Sequence, residues 1–514
     1  VTAASASSAR TALSRILATA LLTSSFLYAQ QPLSTGLPIT AAPADPAITA
    51  ALAQVSPDHI KTTITKLVSF NNRSTLSSMD TDLAPNTGVN AAADWIESEF
   101  KSISAACNNC LEVKRDTFTE PAGTAPNARI TRPTRISNVY AVLRGTDPAQ
   151  AARMVLVTGH YDSRNSSNAN THDPAPGAND DASGVAVSLE SARVLSKLKF
   201  PSTIVFVAVA GEEQGLNGSA HLAKLAKEEH WQLEAVLNND IVGGDTTPGN
   251  NTPPNIQDKT TVRVFSEGVP ANATPDQLRT IETLGAEGDS PSRELARAIV
   301  DVASTYFRPT SQHARNPPGS RVHNNLMRMI PAFHPVLIFR RDRFLRGGDH
   351  TSFNQEGFAA VRFTEWTENF NHQHQDVRVE NGTQCGDLLQ FVDFNYVANV
   401  ARLNAATLAT LASAPGEPQN VRILTTALDN NTELTWQPPA GAPANTTYEV
   451  VFRETDQPTW TDSASAGSAL SLKLAVSKDN VVFAVRSVDP TGHRSIAVLP
   501  MPDRGQRPAP ATKK

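Results

Sequence analysis

Between residues 57 and 412, helix-like stretches alternate with short apolar runs whose far ends turn abruptly polar. DHIKTTITKLVSF and AAADWIESEFKSI carry helical periodicity, whereas NVYAVLRG, MVLVTGHYD, STIVFVAVAGEE and LEAVLNND are continuous apolar runs of strand length. That alternation predicts an α/β domain, a central sheet covered by helices. Open sheets of this class bind ligands outside the carboxyl ends of their strands. The polar tips are therefore where chemistry is expected.

The remaining stretches have other signatures. Residues 1–30 place Arg10 and Arg15 ahead of an apolar run too short to span a bilayer, the layout of a cleaved export signal, and 31–56 is Pro/Ala-rich and reads as a linker. Within the α/β region, about 246–318 is polar and rich in Pro, Asn and Gly, interrupted by the helix-like SRELARAIVDVAS, and reads as an insertion. Residues 415–500 change to short alternating strands, which predicts a small all-β sandwich, and 501–514 reads as a disordered tail. A net charge of −5 without any Lys/Arg-rich run leaves no footprint for nucleic acid. No segment beyond the signal is apolar enough to stay in a membrane. Of the three cysteines, Cys107 and Cys110 in ACNNCL suit a small disulfide in an exported protein, while the pairing of Cys385 is open.

Five clusters of ionisable residues sit at predicted strand or helix ends. MVLVTGHYDSR carries His160 and Asp162 on one face of extended backbone, where a carboxylate can orient an imidazole. PGANDDASG sets Asp180 and Asp181 before a long helix; a helix cap accounts for one of them but not for both. VAGEEQG sets Glu212 beside Glu213 at a strand tip, where neighbouring side chains point apart and cannot form a proton-sharing dyad. LEAVLNND ends at Asp240, and NFNHQHQD brings His372, His374 and Asp376. One such cluster is readily a solvated turn. Together, two imidazoles and several carboxylates at strand ends fit two divalent ions with mixed N and O ligands, zinc first among them.

GHYDS, PGANDDASG, AGEEQGLNGS, NNDIVG and NHQHQD, in this order, resemble the motifs of the co-catalytic two-zinc exopeptidases of the bacterial leucyl aminopeptidase type. The resemblance covers roughly 57–412 outside the insertion. It implies a three-layer α/β/α sandwich with a mixed central sheet, two Zn²⁺ per chain, and a cis peptide between Asp180 and Asp181. By the same resemblance His160 and Asp240 hold one zinc, Glu213 and His372 the other, and Asp180 bridges them. Asp162 orients His160, and Glu212 is the general base. His372 and Asp376 keep the family's four-residue spacing, although Val377 stands where the family has threonine; His374 and His350 are rivals for the ligand position. Trp436 and the run 483–495 resemble a fibronectin type III module, with Val481 in place of its corner tyrosine.

These readings imply a secreted or periplasmic zinc aminopeptidase acting on peptides or proteins. Carboxypeptidase, glutaminyl cyclase and a non-catalytic binding relative are the alternatives on the same fold.

Overall fold

The computed structural model describes residues 33–247, 257–313, 327–330, 332–426 and 428–503. The proposed signal, 1–30, and most of the proposed tail, 504–514, lie outside them. At the centre is an eight-stranded mixed sheet. Its strand order is His334–Ile338, Thr261–Phe265, Ala360–Thr364, Gln232–Asn239, Arg153–His160, Thr203–Val209, Thr134–Leu143 and Leu111–Glu120. The strands Ala360–Thr364, Gln232–Asn239, Arg153–His160 and Thr203–Val209 run parallel to one another, and the pairings around Thr134–Leu143 are antiparallel.

Alternate residues of these strands feed two separate cores. Val155, Val157, Phe206 and Ala208 pack under the helices Pro57–Val68, Gly88–Ala106, Ala182–Leu195, Pro291–Tyr306 and Phe394–Ser413. Leu156, Val205, Val207 and Val236 pack against Leu222 and Phe353 of the helices Asn217–Glu228 and His350–Glu356 on the other face. The result is the expected α/β/α sandwich. Strands buried on both sides need apolar residues at every position, which is why they read as continuous runs rather than alternating ones.

The helix Ala182–Leu195 lies so close to the sheet that a Cβ on Gly159 would come within 2.4 Å of the Gly184 carbonyl carbon. Only glycine fits at that contact. Asp181 caps this helix, accepting from Gly184 N at 2.9 Å, and also accepts from His160 N at 3.0 Å and Ile241 N at 3.3 Å. A single buried carboxylate thus ties two strand ends to a helix start. The Asp180–Asp181 peptide is cis.

Three boundaries differ from the sequence reading. The stretch 246–318 is not a peripheral insertion: Thr261–Phe265 is an inner strand of the main sheet, and Leu295 and Ile299 of the helix Pro291–Tyr306 are fully buried in its core. Nor is 31–56 a simple linker. Leu37–Pro38 pairs with Asp462 and Ser463, and the helix Pro46–Leu52, capped by Asp45, buries Ile48 in the main core. Met501–Asp503, placed in the tail, forms a strand beside Arg422–Leu424.

The C-terminal residues, joined by the strand Leu37–Pro38, form two four-stranded sheets over Trp436, Val450, Phe483 and Val485. This sandwich is docked on the helix Pro291–Tyr306 through buried charges. Asp289 accepts from Arg297 at 2.7 Å and from Arg453 at 2.5 Å, and Arg486 pairs with Asp301. Cys107 and Cys110 form a disulfide, and Cys385 is buried and free. Among the described residues no helix is long and apolar enough to cross a membrane.

Candidate metal centre and active site

Because the central strands are parallel, their carboxyl ends open on one side of the sheet. His160 is the last residue of its strand, Asp240 follows directly after Asn239, and Glu212 and Glu213 lie just past Val209. Asp180 enters from the turn before the helix Ala182–Leu195. His160, Glu212 and Asp240 bring ligand-type atoms within 4.8 Å of one another, and Asp180, Glu213 and His374 do the same.

Asp180 joins the two groups. Its Oδ1 lies 3.1 Å from His160 Nε2, and its Oδ2 lies 2.9 Å from His374 Nε2. On either flank, Asp240 Oδ1 is 3.8 Å from His160 Nε2 and Glu213 Oε1 is 3.0 Å from His374 Nε2. Asp162 holds the frame: its carboxylate accepts from Glu212 N at 3.3 Å, Glu213 N at 3.2 Å and Thr75 Oγ1 at 2.9 Å, and lies 3.5 Å from His160 Nδ1. His160 Nδ1 hydrogen-bonds the Asp162 carbonyl oxygen at 3.1 Å, which leaves Nε2 to face inward.

The electrostatics are those of a site built for cations. Asp180, Asp240 and Glu213 are nearly inaccessible, at 5, 2 and 2 % exposure. Burial pushes Glu212 well above the ordinary carboxylate range; His160 opposes the rise, and Asp240 and Glu213 add to it. For His374, burial disfavours the charged ring, but Glu213 and Asp180 outweigh it and lift the pKa to about 10. Concentrated buried negative charge is costly unless it is matched by cations. His160 Nε2 is buried without a hydrogen bond, as a ligand atom awaiting a metal should be. The donor set, imidazole nitrogen plus carboxylate oxygen, is the one zinc takes.

His372 is not in this cluster. Its Nδ1 sits 2.5 Å from Asp245 Oδ2, and its ring stacks on Phe391 with centroids 3.7 Å apart. His374 takes its expected place because the backbone there turns through a left-handed residue, φ 56°, which swings the later histidine toward Asp180. The four-residue spacing to Asp376 misled, since Asp376 is exposed and accepts from Ser166. His350 is also elsewhere, fully buried with Nε2 on the Arg341 carbonyl oxygen at 2.8 Å.

Several supporting residues carried no clear signal in the sequence. Asp387 accepts from the backbone amides of Asn179 and Asp180 at 2.9 and 2.7 Å and so fixes the turn that presents Asp180. Glu365, at the end of the strand Ala360–Thr364, accepts from Asn179 Nδ2 at 3.0 Å and Asp245 N at 2.9 Å. Its place at a strand tip, in FTEW, was the one available clue. Arg362, wholly buried, pairs with Asp240 Oδ1 at 2.9 Å and donates to the Asp240 carbonyl oxygen at 3.3 Å, and Arg164 donates to Glu213 Oε2 at 3.0 Å.

Residues 138–276 match the profile of Peptidase family M28. The chain is 42% identical over 477 residues to a "Probable zinc metalloprotease" of Pyrenophora teres f. teres, covering 92% of this chain and 90% of the relative. A "Probable zinc metalloprotease" of Pyricularia oryzae is 42% identical over 464 residues, with 89% and 85% covered. Among solved structures, the LapA aminopeptidase of Legionella pneumophila aligns with TM-score 0.45 at 20% identity, over 73% of this chain and 76% of that one. On its sequence relatives and its family match, the chain belongs to peptidase family M28 and is a zinc metallopeptidase.

Proposed function

We propose that this protein is an exported exopeptidase, an aminopeptidase that removes N-terminal residues from peptides and holds two zinc ions. His160 and Asp240 would hold one ion, Glu213 and His374 the other, and Asp180 would serve both. The observation that carries the reading is Asp180, which offers one oxygen to each of two imidazoles. Zinc bound there would polarise a scissile carbonyl and make water a nucleophile near neutral pH.

The chain's own residues then handle protons and position. Glu212 lies within 4.8 Å of His160 and Asp240 at the cavity wall. It is placed to take a proton from water as the oxygen adds to the carbonyl carbon, then give it to the leaving nitrogen. Asp162 fixes both neighbouring glutamates through their amides, so base and ligand diverge from one strand tip. No covalent nucleophile is required.

Export is supported by the signal-like stretch at 1–30 and by the disulfide of Cys107 and Cys110. The likeness of residues 415–500 to a fibronectin type III module is supported by buried Trp436 in the sandwich core. The test of the activity is hydrolysis of amino-acid p-nitroanilides and of N-blocked peptides, with and without chelator, alongside zinc analysis. Release of amines from p-nitroanilides by a protein with two zinc ions is expected. Full activity in metal-free protein would defeat the proposal, and cleavage confined to N-blocked peptides would make it a carboxypeptidase.

A further inference from the structure

The candidate centre opens into a cavity of about 500 Å³ whose charge is unusual. Four arginines line it, Arg129, Arg164, Arg343 and Arg346, and its acidic lining is Asp180, Glu212, Glu213 and Asp240. All four of these carboxylates belong to the two ligand-type groups. Two divalent cations would therefore match the acidic charge and leave the arginines as the net charge of the cavity. Just outside the cavity lining, Glu368 is shared by Arg343, Arg346 and Arg263, so one carboxylate serves three guanidiniums.

Two of the four arginines are committed to the protein. Arg343 bonds Asp342, Glu368 and the Gly347 carbonyl oxygen; Arg164 bonds Glu213, Asn168 and His374. The other two are exposed, and the side chain of each makes one hydrogen bond among the described residues. Arg129 donates Nη1 to the Glu213 carbonyl oxygen at 2.9 Å, and Arg346 donates Nη1 to Glu368 Oε2 at 2.6 Å. They come from separate segments, the connection after Leu111–Glu120 and the one after His334–Ile338. The planar guanidinium fork matches a carboxylate through two parallel bonds. A substrate ammonium, by contrast, meets no lining acid apart from the ligand-type carboxylates.

We propose that Arg129 and Arg346 form a subsite for a substrate carboxylate, so that this protein prefers peptides with an anionic group near the scissile bond. The proposal rests on the zinc exopeptidase reading. The carboxylate is either an acidic side chain or the free C-terminus, and both present the same chemistry to the arginines. Leu216, Leu345 and Phe370 also line the cavity and suit the apolar stem of such a residue.

The experiment uses full-length, zinc-loaded protein and two matched pairs. Glu-Phe-amide against Gln-Phe-amide isolates a side-chain carboxylate; N-acetyl-Ala-Phe against its C-terminal amide isolates a terminal one. At least one pair should show about a 10- to 100-fold preference in kcat/KM for the carboxylate member, the range of a charge-assisted hydrogen bond. The same preference should appear as a difference in Kd by calorimetry on Glu212→Gln protein. Arg129→Gln and Arg346→Gln, both at exposed positions, should each reduce that ratio and act on KM more than on kcat. A ratio within about 2-fold of one for both pairs, or a preference that survives both substitutions, overturns the subsite. Failure of zinc-loaded protein to hydrolyse any of the four peptides overturns the peptidase reading instead, and the subsite then stands or falls on the Kd ratios.

Discussion

Arg164 Nη2 lies 2.7 Å from Nδ1 of His374. A guanidinium is always a donor, so a neutral ring can accept from it only at Nδ1, with its hydrogen on Nε2, the nitrogen that faces Asp180 and Glu213. A metal at Nε2 requires the opposite tautomer. Arg164 also pairs with Glu213, so it competes with the metal for two ligands of one site. Arg164→Ala is expected to tighten zinc at that site by about 2- to 5-fold, the equivalent of one modest ion pair. Competition titration with a chromophoric chelator measures it, and weaker binding would show that Arg164 supports the site.

Substituting the two nearby histidines separates ligand from support. His374→Ala should lose about one zinc ion per chain and most activity, because its Nε2 faces both Asp180 and Glu213. His372→Ala should keep both ions and lose stability through its bond to Asp245 and its stack on Phe391. Zinc content beside thermal unfolding decides, and the reverse pattern would restore His372 to the ligand set.

Glu212 and Glu213 should fail differently. Glu212→Gln is expected to retain zinc and lose roughly 10²- to 10⁴-fold in kcat, as for a lost general base. Glu213→Gln should lose or weaken one ion, with added zinc restoring activity in part. Equal metal loss in both variants would contradict the division of labour at this strand tip.

His350 sets a pH dependence of stability. Burial pushes its pKa down to about 4, with the Asp342 carboxylate opposing. The unfolded ring titrates near 6.5. Between these values the unfolded chain binds a proton that the native protein refuses, so stability falls as pH drops from about 6.5 to about 4 and this contribution levels off below. From pH 7.5 to pH 5 the loss from this one ring is about 2 kcal/mol. Urea midpoints of wild type and His350→Gln at the two pH values should diverge by that amount, and parallel curves would exclude the effect.

The buried charges between helix Pro291–Tyr306 and the sandwich make the two parts interdependent. Asp289→Ala removes the ion-pair partner of Arg453, at 4 % side-chain exposure, and one of the two partners of Arg297, which keeps Glu294, and is expected to cost about 3 kcal/mol. Arg453→Ala should cost less, because Asp289 keeps Arg297. Denaturant unfolding gives both values. For the same reason, removal of residues 415–514 should lower the melting temperature of the catalytic part, and an unchanged melting temperature would show that the docking contributes nothing to its stability.

The sheet and the strand-tip carboxylates were legible because burial on both faces forces continuous apolar runs, and those runs stop abruptly at Gly159-His160, Gly211-Glu212 and Asn239-Asp240. The choice between His372 and His374 was not legible. Both stand in one polar turn, and the decision lies in a backbone torsion that no local pattern encodes. Thr261–Phe265 was hidden for a different reason. It is five residues long and contains Arg263, whose head reaches the Glu365 carbonyl oxygen at 2.7 Å, so an inner strand looked like loop. Asp45 followed by Pro46 was a readable helix start, masked by the Pro/Ala-rich composition around it.

Leu37–Pro38 completes the edge of a sheet whose other strands are contributed more than four hundred residues later, at Asp462–Gly467. Ile39 continues the seam through Thr461, and Ser34 reaches the second sheet of the sandwich through Ala475. During synthesis that early segment has no partner until nearly the whole of this sequence has emerged. The sandwich therefore cannot be lifted out and spliced onto another protein as a free-standing cassette: cut at residue 415, it leaves one of its own strands behind.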